Sequence, residues 1–352
     1  MKILSSAVLC GIALAAPVAA LAWGPQGHQQ VGALADQLIQ GSEAQKQVQR
    51  ILGGLSLQTV SVWADCAKGV GTADDIVFRY VDKSADFPEC KPFQGADEAR
   101  RFESYVQRNW KQCGTAHGGE QCHKQYHYTD VSNFHYSYQD GYVGTRGSDV
   151  VHALAAAAAY LSGKTATSPF SFADEKEALM LLSHYVGDLH QPLHVTSVYL
   201  DIGGELVNPD IQGYRNGNDT GGGNLLIDAG MPTGDQKTLH ALWDAIPENL
   251  MVNGKDARSL LAQARNTPVT KGEAESWAAR WASETMFGGR AAFSGLEFDV
   301  RPNSRGMGPD VGQRWDVLGV DEAYRKKADA IKSEQLARAG ARLAQLLKKI
   351  WP

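Results

Sequence analysis

The segment HYVGDLHQPLH, residues 184–194, places three histidines and one aspartate within eleven residues. His184 and Asp188 are four positions apart, so on a helix both side chains project from the same face. Pro192 is expected to end that helix and to release His194 in another direction. For a lone histidine, polar decoration of an amphipathic helix is the more common explanation. The segment alone therefore predicts a helix, and a metal site needs further support.

Helical periodicity extends over most of the chain. Apolar residues recur at steps of three and four over 31–52, 174–190, 275–287 and the final segment up to Ile350, which predicts amphipathic helices. The tryptophans of 275–287 fall on one stripe, and we expect them in the core. The pattern predicts an all-α fold with a single helical domain over 23–352.

Two polar segments interrupt this pattern, at 66–126 and 197–223. Neither has a sustained apolar period, so we interpret both as loop insertions rather than as domains. Four cysteines lie within the first of them, and an even number in an exported protein suggests two disulfides. Three pairings are possible, and we favour Cys66–Cys90 with Cys113–Cys122.

Residues 1–22 have the features of a secretory signal peptide: a basic start at Lys2, a short apolar stretch and a small-x-small cleavage site at 20–22. Cleavage there gives a secreted or periplasmic chain that begins at Trp23. The formal charge of −5 becomes −6 once Lys2 is lost, which argues against binding nucleic acid through a broad basic surface. No later apolar run approaches the roughly 20 residues that a membrane-spanning helix needs.

A second histidine–aspartate pair occurs in LHALWD, residues 239–244, where His240 and Asp244 are again four apart. Imidazole and carboxylate are both good zinc ligands. The free α-amine that cleavage would create at Trp23 titrates near 8, so it could bind a metal together with its own carbonyl, and His28 follows five residues later. These features together make metal binding a real alternative to surface decoration.

The sequence resembles the tri-zinc single-strand nucleases, the S-one/P-one family of mung bean nuclease type within the zinc-dependent phospholipase C/nuclease superfamily. The resemblance lies in motifs that occur in the family's order: Trp23, WAD at 63–65, HYTD at 127–130, the segment 184–194, GGN at 222–224 and LHALWD. It extends from Trp23 to the last helix and implies the mainly α fold of that superfamily. The two insertions are longer than family members carry, which leaves substrate preference open.

The resemblance implies three zinc ions per chain. Nine residues would be their ligands, with Asp188 shared by two ions: Asp65, His127, His184 and Asp188 for the first ion, Asp188, His28 and Trp23 for the second, and His194, His240 and Asp244 for the third.

The resemblance also implies a substrate pocket. Lys68 would face the phosphate, Tyr128 would stack on a base, and Asp130 and Asn224 would line the base pocket. Asp65, Lys68 and Asp188 would take part in catalysis. Lys68 could instead be a solvated surface lysine, and Tyr128 could simply be buried beside the metals.

Two further histidines need an interpretation. We expect His190 to have a packing or supporting role rather than to bind metal. We expect His123 to be a solvated loop residue.

The function implied is that of an exported zinc-dependent endonuclease and 3′-nucleotidase, which hydrolyses single-stranded DNA and RNA to 5′-phosphate products. Hydroxide held between two zinc ions would attack, and the third ion would stabilise the leaving oxygen. The sequence contains no P-loop, G-x-S-x-G or H-E-x-x-H motif. We expect a monomer without a stable nucleic-acid complex.

Two other functions are alternatives. A zinc-dependent phospholipase C is the main alternative, but it carries Glu where this chain has Asp244, and the spacing of Trp23 and His28 is that of the nucleases. A zinc-storage or adhesion protein would explain the ligands but not Lys68 and the pocket residues.

Overall fold

Helices dominate the protein. The computed structural model describes residues 23–82, 84–113, 120–211, 217–228, 238–301 and 314–352, so the signal peptide predicted at 1–22 lies outside the described residues. The helices are α1 (Pro25–Leu38), α2 (Glu43–Leu52), α3 (Leu57–Val60), α4 (Trp63–Ala67), α5 (Ala96–Arg108), α6 (Cys122–Gln125), α7 (Val150–Leu161), α8 (Glu175–Leu189), α9 (Leu239–Asp244), α10 (Ala257–Arg265), α11 (Trp277–Phe293) and α12 (Glu322–Ile350). The predicted all-α class is confirmed.

Within the described ranges, the strands are short and form four small sheets. Three of the sheets are pairs, and the fourth has three strands in the order β7-β9-β8. The three pairs are β1 (Val70–Thr72) antiparallel to β2 (Phe78–Tyr80), β3 (Val131–Ser132) parallel to β4 (Thr196–Ser197), and β5 (Tyr199–Leu200) antiparallel to β6 (Asn218–Asp219). The three-stranded sheet consists of β7 (Leu226–Asp228), β8 (Glu297–Val300) and β9 (Trp315–Leu318).

The predicted helix at 174–190 is α8, and it forms the centre of the fold. Asp174 caps its N-terminus by accepting a hydrogen bond from the backbone N–H of Glu177 at 2.8 Å. Every residue from Glu177 to Leu189 is buried. Helices α1 to α4, α7, α11 and α12 pack around it. The histidine and aspartate of this helix are therefore enclosed rather than displayed on a surface.

The other predicted helices are also present. The opening pair is α1 and α2, the segment 275–287 lies in α11, and the last helix is α12. Trp277 and Trp281 are buried, as expected for a core stripe. A second, smaller core joins the three-stranded sheet to α9 and to the first turns of α12. Trp243 of α9 anchors it, because its indole N–H donates to the hydroxyl of Tyr324 at 2.9 Å.

The interpretation of 66–126 as loop is wrong in part. This segment contains the β1–β2 hairpin and α5 as well as α6. Phe102, Tyr105 and Val106 form the buried face of α5, at the three- and four-residue steps of an amphipathic helix. Charged residues fill the rest of the helix and obscure that stripe. In 197–223, the described residues contribute β5 and β6 and are otherwise irregular.

Both favoured disulfides are formed, Cys66–Cys90 and Cys113–Cys122. The first ties the end of α4 to the helical turn Pro88–Phe93. The second closes a loop in front of α6. In the described part of the chain, none of the helices is long and apolar enough to cross a membrane.

Candidate metal centre

The carboxylate of Asp188 lies at the centre of a cluster of four histidines. Asp188 projects from the last turn of α8 and is fully buried. Its oxygens are within 3.7 Å of a ring nitrogen of each histidine: 3.4 Å from His28 Nε2, 3.0 Å from His127 Nδ1, 3.1 Å from His184 Nε2 and 3.7 Å from His194 Nδ1.

Helix α1 approaches α8 closely enough to bring His28 into this cluster. The two helices touch at Gly187, where an added Cβ would lie 2.6 Å from Nδ1 of His28. The rings of His28 and His184 stack with their centroids 3.8 Å apart. A glycine one residue before Asp188 is therefore needed to admit the His28 ring.

Backbone carbonyls fix the protonation of three histidines. Nδ1 of His184 lies 2.6 Å from the Ser61 carbonyl oxygen, and His194 and His240 make the same contact with the carbonyls of His127 and Gly222 at 2.7 and 2.8 Å. A carbonyl can only accept, so each Nδ1 carries the proton and each neutral ring keeps its lone pair on Nε2.

These lone pairs face other histidine nitrogens. His184 Nε2 is 3.0 Å from His127 Nδ1, and His240 Nε2 is 3.1 Å from His194 Nε2. Between His194 and His240 both Nε2 atoms carry a lone pair, and lone pairs at this distance repel each other unless a cation lies between them. This is the arrangement of ligands around a metal ion.

The described residues contain three groups whose ligand atoms lie within 4.8 Å of one another. All eight side chains that the resemblance names as ligands occur in them: His28, Asp65 and His184 in the first, His127, His184 and Asp188 in the second, and His194, His240 and Asp244 in the third. One detail differs from the expected division, because His28 is grouped with Asp65 and His184, although it also lies 3.4 Å from Asp188.

Asp65 and Lys68 form a pair at the edge of the first group. Asp65 lies in α4 and Lys68 directly follows that helix. The Nζ of Lys68 is 2.7 Å from Asp65 Oδ1, and its side chain is only 10% exposed. The alternative of a solvated surface lysine is therefore wrong. Lys68 supplies a buried positive charge beside a candidate metal ligand.

The third group is held together by Gln191. The side-chain amide of Gln191 donates to Asp244 Oδ1 at 2.6 Å, and its carbonyl oxygen accepts the backbone N–H of Leu193 at 2.5 Å. The backbone carbonyl of Gln191 accepts the N–H of His194 at 3.0 Å. One buried glutamine thus fixes Asp244 of α9 relative to the turn that carries His194.

The buried polar atoms of the centre fit a bound cation. Both ring nitrogens of His28 and both carboxylate oxygens of Asp188 are buried without a hydrogen-bond partner among the described residues. Buried polar atoms of this kind are costly unless something satisfies them. Imidazole nitrogens and carboxylate oxygens together suit zinc.

The electrostatics of the cluster favour the ligand forms of most of these residues. Burial, with smaller effects from neighbouring cationic groups, lowers the pKa of His28 to about 4 and the pKa of His127 and of His240 to about 3. These rings are neutral at pH 7, as metal ligation requires. Burial alone would raise the pKa of Asp188, but His184 and His127 hold it well below its usual range.

His184 behaves differently. Burial opposes its protonation, yet Asp188 and Asp65 outweigh that effect and raise its pKa. Metal binding at such a position displaces a proton.

Tyr128 and Asp130, predicted for the base pocket, lie near each other and near two charged residues that the prediction omitted. The hydroxyl of Tyr128 donates to the carboxylate of Glu120. Burial and Glu120 raise the pKa of Tyr128 well above its ordinary value. Arg146 lies close enough to act in the opposite direction: its charge favours a lower pKa for both Tyr128 and Asp130.

Asp130 is buried and hydrogen-bonded to a second carboxyl group, that of Asp219. Burial and the Asp219 charge raise the pKa of Asp130 well above its usual range. Asn224 follows on the same loop as Asp219 and donates from Nδ2 to the Gly221 carbonyl at 2.8 Å.

The start of the described chain reaches the third group. Trp23 is fully buried. The backbone N–H of Gly24 donates to the Asp244 carbonyl at 2.9 Å. The first residues of the described chain are thereby tied to the end of α9, which carries His240 and Asp244.

The family model of the S1/P1 nucleases matches residues 108–352, which is more than half of the chain. The chain belongs to the S1/P1 nuclease family. No curated protein matches it.

Membership of the S1/P1 nuclease family makes the protein a hydrolase of phosphodiester bonds, with nucleic acids as substrates. The matched range contains every proposed ligand from His127 to Asp244. His28, Asp65 and Lys68 precede it, and only the folded contacts described above join them to the rest of the centre.

Sequence reasoning missed Gln191, Glu120, Asp219 and Arg146 of this S1/P1 nuclease. Gln191 lies inside the quoted segment 184–194 and could have been considered, because a buried amide beside a carboxylate ligand is a common support. No motif in the sequence around Glu120, Asp219 or Arg146 indicates a role near the site. Their roles depend on long-range packing of the insertions against the segment that follows His127.

The predictions for His123 and His190 differ in their outcome. The interpretation of His123 as a solvated loop residue is wrong, since it is buried and stacks on Trp110 at 5.7 Å. His190 does not join a metal group among the described residues. Its Nδ1 contacts the Val186 carbonyl at 2.7 Å and its Nε2 contacts Arg342 at 3.0 Å, as a supporting role predicts.

We predict that Gln191→Ala lowers the affinity of the third group for zinc by roughly 10- to 100-fold, because Asp244 loses the hydrogen bond that orients it. Competition with a chromophoric chelator measures this affinity. Gln263→Ala is the matched control, since the side-chain amide of Gln263 donates to Ser259 on an exposed face of α10. Zinc affinity equal to that of the wild type in Gln191→Ala would contradict the assignment.

Proposed function

We propose that the protein is an exported zinc-dependent endonuclease and 3′-nucleotidase, which hydrolyses single-stranded DNA and RNA to 5′-phosphate products. The observation that carries the proposal is the buried Asp188 carboxylate with four histidine rings around it. Membership of the S1/P1 nuclease family supports it.

In this proposal three zinc ions occupy the centre. Their ligands are the nine residues that the resemblance implies: Trp23, His28, Asp65, His127, His184, Asp188, His194, His240 and Asp244. When bound, the ions supply a water nucleophile at neutral pH and neutralise charge on the leaving oxygen. The two oxygens of Asp188 face different histidines, so this carboxylate would be a ligand shared by two of the ions.

The side chains around the metals bind and orient the substrate. Lys68 holds a positive charge at the edge of the centre and attracts the phosphate. Tyr128 presents its ring to a base, with its hydroxyl held by Glu120. Asp130 and Asn224 offer hydrogen bonds to the edge of that base. The neutral form that burial favours for Asp130 allows its carboxyl group to donate as well as to accept.

Export in this proposal follows from removal of residues 1–22. The two disulfides suit an oxidising compartment. The mature chain would begin at Trp23. Its burial, and the hydrogen bond from Gly24 to the Asp244 carbonyl, support a terminal ligand beside α9.

The experiment that tests the proposed substrate compares correctly processed, zinc-loaded protein on single-stranded DNA and on phosphatidylcholine vesicles. We expect 5′-nucleotides from the DNA and no lipid cleavage. Lipid cleavage without nucleotide release would keep the metal ligands and overturn the assignment of Tyr128, Asp130 and Asn224 to a base pocket.

We predict that Asp188→Asn loses bound zinc and nearly all nuclease activity, because an amide is a weaker ligand and cannot bridge two ions. The zinc content of the purified protein is measured by elemental mass spectrometry, and turnover is measured on single-stranded DNA. Asp97→Asn serves as the control, since Asp97 is 93% exposed on α5. Full zinc content with full turnover in Asp188→Asn would show that the site is assigned wrongly.

We predict that one extra residue before Trp23 reduces zinc content by one ion per chain and abolishes most of the activity, because it converts the α-amine into an amide. The comparison uses two preparations that differ only in that residue. If the extended protein binds as much zinc and works as well as the mature one, the terminal ligand is wrong.

A further inference from the structure

All exposed aromatic side chains of the described residues lie on one surface. They are Phe134, Tyr136 and Phe287, which are 42%, 65% and 61% exposed. We refer to these three residues together with Arg290 as the aromatic surface. Large aromatic rings are normally buried, so their concentration at one place, with none as exposed elsewhere in the described chain, points to a function.

The surface is built where the segment 133–138 runs along α11. Arg290 of α11 donates to the backbone carbonyls of Asn133 and His135. One end of the segment is therefore fixed to the last turns of the helix. The other end is fixed at Ser283, whose hydroxyl accepts the backbone N–H of Tyr138 at 3.0 Å.

Phe287 completes the surface from the helix side. It lies four residues after Ser283 and three before Arg290, so all three project from the same face of α11. Since Ser283 and Arg290 both contact the segment 133–138, Phe287 lies between these two contacts along α11.

Arg290 makes this surface positively charged and orders it. Its guanidinium carbon lies 3.8 Å from the centroid of the Tyr136 ring, a cation–π contact that fixes the ring. Arg290 donates hydrogen bonds to backbone carbonyls, and no carboxylate in the described ranges pairs with it. A fixed ring backed by an uncompensated cation is complementary to a base and its phosphate.

The elements that carry the aromatic surface adjoin those that carry the proposed active site. Asn133 follows Asp130 by three residues, across β3, and its N–H donates to the Ser197 carbonyl at 2.9 Å. On α11, an added Cβ at Gly289 would lie 2.2 Å from Thr196 Oγ1 and 3.0 Å from the Pro192 carbonyl. The surface therefore begins beside the backbone on either side of His194.

We propose that the aromatic surface binds the bases of single-stranded nucleic acid that extend beyond the base pocket. This inference rests on the proposed function. Stacking accepts any base, because each has a flat π-face. Stacking also explains how an acidic protein holds a polyanion without a broad basic surface, since contacts between rings and bases take the place of contacts between cations and phosphates.

The test measures binding separately from cleavage. Fluorescence anisotropy gives Kd for labelled oligothymidylates of twelve and of two nucleotides, with phosphorothioate linkages that hydrolyse slowly, on zinc-loaded protein. We expect Tyr136→Ala/Phe287→Ala to raise Kd for the twelve-nucleotide probe by about tenfold or more. Kd for the two-nucleotide probe, which reaches only the base pocket, should change by less than about twofold.

Two variants control for other effects. Tyr136→Phe keeps the ring and should bind like the wild type. Val269→Ala removes an apolar side chain that is 70% exposed outside the surface, and it should also leave Kd unchanged.

Equal Kd values in the wild type and the double variant would overturn the inference, as would an equal loss with both probes. If the double variant instead abolishes self-association while Kd is unchanged, the surface belongs to a second copy of this chain. Failure of the proposed function is a different result, namely no cleavage of unmodified DNA by the wild type.

Discussion

The buried carboxylate of Asp188 is the constraint on which the rest of the structure depends. A fully buried charge is costly unless opposite charge or metal compensates it. Here four imidazole rings surround it, but they do not satisfy its oxygens with hydrogen bonds. The packing of helices around α8 therefore encloses a set of polar atoms that a bound cation would satisfy.

Several features of the fold are best understood as means of bringing ligands to that carboxylate. Gly187 lets α1 approach so that the His28 ring fits against α8. Pro192 starts a helical turn that redirects the chain after α8 and presents His194. Gln191 then ties that turn to Asp244 of α9. Packing and hydrogen bonds thus orient ligands from distant parts of the chain, which reduces the cost of binding a metal.

Much of this centre could be predicted from the sequence, because helix geometry is local. The four-residue spacing of His184 and Asp188, and of His240 and Asp244, places each pair on one helix face, and both pairs do lie on helices. The clustering of those helices around Asp188 depends on tertiary packing, and at the level of sequence it rested on the family resemblance alone.

The insertion 66–126 shows where local reasoning was insufficient. Its polar composition suggested loop, yet α5 buries Phe102 and Tyr105 against Trp63 of α4. His123 is buried by the same packing. The insertion then places Glu120 on the hydroxyl of Tyr128. A segment that appeared peripheral therefore contacts the proposed base pocket, and this contact could not be read from composition.

The central claim is that the ligands around Asp188 hold metal. Anomalous diffraction at the zinc absorption edge, from crystals of the purified mature protein, tests it most directly. We predict three peaks per chain: two next to the Asp188 carboxylate and one between His194, His240 and Asp244. Absence of any peak within bonding distance of Asp188, in protein that cleaves single-stranded DNA, would contradict it.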